Sequence, residues 1–174
     1  SIPSVVHEVK RLSSEGVREF NLSAQDSSFY GRDLNDGTTL ARLLKELVKI
    51  DNVKWIRLFY LYPTYFDDEL LEIITKEEKI CKYVDIPLQH ISDSVLGRMH
   101  RRDSSQSIKK LLKKLRNTTP YITIRTTLMV GFPGETEADF KELLTFIKAV
   151  KFDNMGAFTY SAQDGTPAAR MVDQ

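Results

Sequence analysis

Five short segments carry most of the side chains able to do chemistry. They are Ser23-Ala24-Gln25-Asp26, Tyr60-Leu61-Tyr62-Pro63, Pro87-Leu88-Gln89-His90, Gly131-Phe132-Pro133-Gly134-Glu135 and Tyr160-Ser161-Ala162-Gln163-Asp164. Gln25 and Asp26 offer donors and acceptors suited to an amine or a ribose hydroxyl. An aspartate there would equally cap a turn and leave Gln25 to solvent. His90 is an acid–base candidate by residue type; the preferred reading is a histidine bonded to a loop carbonyl. The run from Gly131 to Glu135 lacks the Gly-Lys-Ser/Thr ending of a phosphate loop. Its glycines would let backbone approach a ligand such as adenine closely, or would simply make a tight turn.

Arg125 and Thr127 share one face of a strand, since side chains alternate. If that face is interior, Arg125 needs a carboxylate partner, because a buried unpaired guanidinium is costly. A ligand carboxylate or an aspartate of the chain would serve. Thr126 and Leu128 then face the other way. His7, His90 and His100 are scattered, with no metal-ligand spacing and no HExxH or CxxC pattern. The single cysteine, Cys81, excludes an intramolecular disulfide and fits a reducing cytoplasm.

The elements that must position these segments alternate along the chain. Helical apolar spacing marks 4–15, 39–50, 67–76, 92–99, 105–116 and 136–150. Thr136 with Asp139 forms a capping pattern at the last of these. Strand composition marks 19–22, 55–60, 83–88, 122–130 and 154–160. Strict alternation of this kind predicts right-handed βαβ units and a parallel sheet. In that architecture ligand sites form at the carboxyl ends of strands, where all five segments fall. The chain opens on a helix, so a further strand is expected upstream, giving an α/β partial (β/α)6 barrel.

Bulk properties set outer limits. The chain has 174 residues, 41% hydrophobic, with 25 basic against 24 acidic residues and a net charge of +1. That balance gives no strong nucleic-acid signal, and no apolar run is long enough for a membrane helix. Lys109, Lys110, Lys113, Lys114 and Arg116 crowd one helix; the preferred reading is a solvated face opposite a buried Ile108-Leu111-Leu112-Leu115 side.

Four strings, in this order and spacing, resemble the methylthiotransferase branch of the radical-SAM family. They are Asn21-Leu22-Ser23-Ala24-Gln25-Asp26, Ile86-Pro87-Leu88-Gln89-His90, Val95-Leu96-Gly97-Arg98-Met99 and Val130-Gly131-Phe132-Pro133-Gly134-Glu135-Thr136. The run from Ala24 to Gly31 and the string Arg57 to Pro63 are most similar to the group that modifies small-subunit ribosomal protein twelve, rather than the tRNA-modifying group. The resemblance implies a barrel lacking its first strand and cluster loop, with residues 1–174 a fragment of the radical-SAM core domain. It implies an N-terminal methylthiotransferase domain and a C-terminal TRAM-type domain outside this chain. It further implies a [4Fe–4S] cluster on three upstream cysteines, which binds and reductively cleaves S-adenosylmethionine to yield a hydrogen-abstracting 5′-deoxyadenosyl radical. A second cluster takes part in sulfur delivery. By segment, the resemblance places Gln25 and Asp26 near the methionine amine, Gln89 near the ribose, and Arg125, Thr127, Gly131, Phe132 and Pro133 near the carboxylate or adenine. The implied partner is the ribosomal protein or the ribosome, in the cytoplasm. The alternatives are the tRNA adenosine relative and a non-catalytic α/β binding domain. Cys81 is expected at the far end of the barrel from the cluster, and this chain alone is expected to hold no cluster and to be inactive.

Overall fold

In the computed structural model, residues 1–171 are described. The order is α1 (Ile2–Ser14), β1 (Glu19–Leu22), α2 (Leu40–Leu47), β2 (Trp55–Leu58), α3 (Asp68–Lys76), β3 (Tyr83–Asp85), α4 (Asp93–Arg98), α5 (Ser105–Thr118), β4 (Thr123–Val130), α6 (Glu137–Val150) and β5 (Asn154–Thr159), with three single 3-10 turns at Ser27–Phe29, Pro63–Tyr65 and Ala168–Arg170. All strand pairings are parallel: β1 with β2, β3 with β4, and β4 with β5. Only an isolated bridge, Ile56 to Ile80, joins the two sheets. That bridge is the pair Ile56 N–H to Lys79 O and Cys81 N–H to Ile56 O, and one further main-chain hydrogen bond, Leu61 N–H to Asp85 O, crosses the seam, all at 2.8–2.9 Å. The result is an open, curved α/β barrel of five parallel strands with helices outside.

Local chemistry sets the element ends. Thr39 and Asp67 accept backbone N–H groups as the N-caps of α2 and α3, satisfying donors that a helix start leaves free. Reciprocal capping boxes open α5 (Ser104, Ser107) and α6 (Thr136, Asp139). The strands are shorter than their composition predicts. β2 stops at Leu58, and Tyr60 adopts φ +55°. β3 stops at Asp85 because Pro87 has no N–H to continue the ladder. Buried Thr126 patches the break: its hydroxyl donates to Ile86 O at 2.9 Å and accepts the Leu88 N–H at 3.4 Å. The ladder then resumes, with Gln89 N–H on Thr127 O and Met129 N–H on Gln89 O.

The core lies between sheet and helices. Leu44, Leu47, Ile56, Ile74, Ile80, Val84, Ile86, Ile108 and Ile124 are at most 1% exposed. On β4, Ile124, Thr126 and Leu128 are buried against the helices, while Arg125, Thr127 and Met129 face the barrel interior and are half-buried. Three of the five α5 cations are paired: Lys109 with Glu142, Lys114 with Asp68, and Arg116 with Asp153. His7 lies exposed on α1, whereas His100 follows α4 in a left-handed turn rather than lying on a helix.

Candidate functional site

A cleft of about 490 Å³ opens at the carboxyl ends of the strands, lined by Gln25, Asp26, Tyr60, Leu61, Tyr62, Pro87, Gln89, Arg101 and Thr127. Four of the eight residues singled out in the sequence therefore share one space. Gln25 is exposed at the rim. Asp26 caps the Ser27–Phe29 turn, accepting from Ser28 Oγ at 2.5 Å and Phe29 N–H at 3.2 Å. Gln89 stands in the left-handed region, φ +67°, between fully buried Leu88 and His90. Of the three, only the Gln89 side chain lines the cleft.

The other four residues sit elsewhere. Phe132 lines a second cavity of about 280 Å³ with Met99, Met129 and Pro167, next to the cleft across Gln89 and Arg101; its ring meets Tyr160 edge-on at 5.3 Å. Gly131, Pro133 and Arg125 line neither space. Gly131 and Gly134 adopt φ +71° and +78°, which L side chains disfavour. The Gly131 and Phe132 N–H groups do not point free toward a ligand: both donate to Glu135 Oε2, at 2.6 and 3.2 Å. Arg125 has found an aspartate of the chain, its Nη1 lying 3.1 Å from Oδ1 of Asp85. Asp85 is fully buried, and its other oxygen accepts the Tyr60 N–H at 3.4 Å. His90 is not bonded to a loop carbonyl; its Nδ1 accepts the Ser92 N–H at 3.0 Å.

Sequence reasoning missed Arg101. Its guanidinium lies 4.3 Å above the Tyr62 ring, donates to Pro87 O at 2.9 Å and faces Asp103 at 3.7 Å. Burial lowers the Arg101 proton affinity and raises that of Asp103, which Thr64 and Arg101 partly offset. Among the described residues, Arg101 Nε and Asp103 Oδ2 are buried without hydrogen-bond partners. A basic residue two places before an aspartate is too common a signal to have marked this pair. Asp85, also missed, was legible only as the strand residue before Ile86-Pro87.

Cys81 lies at the opposite end, beside a larger cavity of about 720 Å³ that also touches the first residues of all five strands. Burial raises its thiol pKa, which argues against a reactive thiolate. Among the described residues, no three His, Cys, Asp or Glu side chains are grouped to hold a metal ion, and no helix is long and apolar enough to cross a membrane.

The family model for the radical SAM superfamily matches residues 1–147. The chain belongs to the radical SAM superfamily. Its radical SAM barrel resembles solved structures at low sequence identity. TsrM from Kitasatospora setae, a radical S-adenosylmethionine methyltransferase solved with cobalamin and a [4Fe-4S] cluster, gives a TM-score of 0.75 at 17% identity, over 97% of this chain and 30% of that one. Coproporphyrinogen III oxidase (HemN) from Escherichia coli gives 0.69 at 15%, over 97% and 40%. These likenesses concern the fold alone. Curated relatives are far closer in sequence. The chain is 52% identical over 173 residues to the ribosomal protein uS12 methylthiotransferase RimO of Pelobacter propionicus, covering 99% of this chain and 38% of the relative. It is 50% identical to the protein of the same name from Geotalea uraniireducens, covering 99% and 39%. This radical SAM chain thus spans about two fifths of the length of the curated relatives it matches.

Proposed function

We propose that this chain is the cofactor-binding part of a ribosomal protein uS12 methylthiotransferase, an enzyme that adds a methylthio group to the β-carbon of an aspartate. The observation that carries the reading is identity of about one half, over nearly the whole chain, with relatives of that name. Residues 1–174 are then a core-domain fragment of a longer protein. The substrate is small-subunit ribosomal protein twelve, free or in the ribosome, and the place of action is the cytoplasm.

The cleft fits S-adenosylmethionine in size and chemistry. Small-ligand sites run to several hundred Å³ with a few convergent polar groups. Asp26 and Arg101 are a carboxylate and a guanidinium on one space, a pair complementary to an amino-acid ammonium and carboxylate. The amide groups of Gln25 and Gln89 and the Thr127 hydroxyl suit ribose hydroxyls, and Tyr60 and Tyr62 supply apolar faces. Phe132, carried by the Gly131 to Pro133 turn, lines the adjoining cavity, where the adenine would extend past Gln89. Arg125, fixed by Asp85, lies on the same face of β4 as Thr127. Bound there, S-adenosylmethionine supplies the adenosyl and methyl groups of this reaction class. A [4Fe–4S] cluster does not fit these residues: it needs cysteine thiolates, and Cys81 is at the other end of the barrel.

Anaerobic reconstitution followed by iron and sulfide analysis tests the reading. This chain is compared with the same chain extended upstream in its gene. The expected result is about four irons per cluster in the extended protein and none here, with mass spectrometry then showing a methylthio-aspartate on the ribosomal protein. An extended protein without iron would sink the enzyme reading and leave a binding domain.

A further inference from the structure

Behind the turn that carries Phe132 lies a buried group that the cleft does not use. His90 is fully buried. Its Nδ1 accepts the Ser92 N–H at 3.0 Å, so that nitrogen carries no proton, and in the neutral ring the proton resides on Nε2. Among the described residues Nε2 has no hydrogen-bond partner, and Glu135 Oε1 lies 3.5 Å from it. The Glu135 side chain is only 6% exposed. Its second oxygen takes both the Gly131 and the Phe132 N–H. A carboxylate so far out of water needs donors on each oxygen, and His90 is the side chain placed to supply the remaining one. The other carboxylate nearby, Asp139, is occupied by the Ser92 hydroxyl and by Thr136. His90 and Ser92, from the loop after β3, thus face Glu135 and Asp139, from the loop and helix after β4.

We propose that His90 is a positioning residue. As a neutral imidazole protonated on Nε2, it holds the Glu135 carboxylate beneath the Gly131–Phe132 turn. It thereby fixes the turn that carries Phe132 into the cavity neighbouring the cleft. The inference rests on the proposed cofactor reading for what the turn serves, while the clasp itself rests on geometry alone. It makes His90 a hydrogen-bond donor to protein, not the acid or base of a reaction.

Two substitutions separate the two ring nitrogens. His90→Asn keeps an acceptor near the Nδ1 position and loses the donor at Nε2. His90→Gln keeps a donor near the Nε2 position. Nitrogen-15 NMR of the unaltered chain should show the Nε2–H tautomer; an Nδ1–H tautomer or an imidazolium at neutral pH would overturn the proposal without any variant. Amide exchange at Gly131 and Phe132 should quicken about tenfold in His90→Asn, the loss of roughly one hydrogen bond, and stay near the original rate in His90→Gln. Equal exchange in both variants would also overturn it. Binding of S-adenosylmethionine to the extended, iron-loaded protein is read in parallel. If the unaltered protein binds none, the functional reading falls, while the tautomer and exchange results still decide the clasp.

Discussion

Arg125 and Asp85 meet below the cleft, where a charge has been taken out of water and matched from a neighbouring strand. Breaking such a pair from one side leaves the other charge stranded. Arg125→Met should therefore destabilise the chain by roughly 2–3 kcal/mol. This is under the fully buried limit, because the Arg125 side chain keeps 39% exposure. A shift of the urea midpoint at constant slope checks it, and Arg125→Met with Asp85→Asn should recover part of the loss. Asp139 shows a second residue-scale effect. Hydrogen bonds from the Ser92 hydroxyl first, then from Thr136, hold its carboxyl down to about 2, against a usual 3.8. A pKa lowered by folding contributes stability that is fully present above the usual value and lost as pH falls through the folded one. The stability gap between the unaltered chain and Asp139→Asn should accordingly narrow between pH 3.8 and about pH 2. A gap that stays constant through that window, in thermal melts, would refute the assignment.

At the scale of elements, the turn between β4 and α6 is built for glycine. At Gly134, φ is +78° and a Cβ would meet the Arg98 guanidinium. Arg98 is the end of a flexible side chain and can yield, so the lasting cost of Gly134→Ala is the left-handed backbone, about 1–2 kcal/mol. Thermal denaturation should show a loss of that size, with Phe132 fluorescence-independent probes such as amide exchange reporting a looser turn. The elements themselves were legible because apolar spacing, capping residues and β-branched runs agree along the chain. Each of the five strands and six longer helices lies where the sequence placed it, to within a few residues. The misplaced ends have one physical origin. Composition runs on through Tyr60 and Leu88, but a left-handed tyrosine and a proline stop the hydrogen-bond ladder first. The site was legible by segment rather than by atom. Alternation put Arg125 and Thr127 on one face, yet nothing local to Arg125 named Asp85, which is 40 residues away. The glycine turn read equally as ligand cradle or tight turn until Glu135 was seen to take its N–H groups.

For the whole molecule, about half of the charged side chains are paired internally. The crowded basic helix α5 is tied by three of its cations to carboxylates of α3, α6 and the α6–β5 connection, so it serves packing between outer helices before any partner. In the barrel each strand neighbours the next in sequence, and the helices between them draw the strands together by sharing one core. Where that drawing-together is thinnest, between β2 and β3, a single bridge and one further main-chain hydrogen bond stand in for a ladder. The wall is therefore a ribbon of two panels rather than one plate. Tyr60, Leu61 and Tyr62 ride on the first panel and Gln89 and Thr127 on the second, so the mouth of the cleft straddles a crease. Asp85 alone takes both the Tyr60 and the Leu61 N–H across that crease, so one buried residue sets how far apart the two lips of the mouth stand.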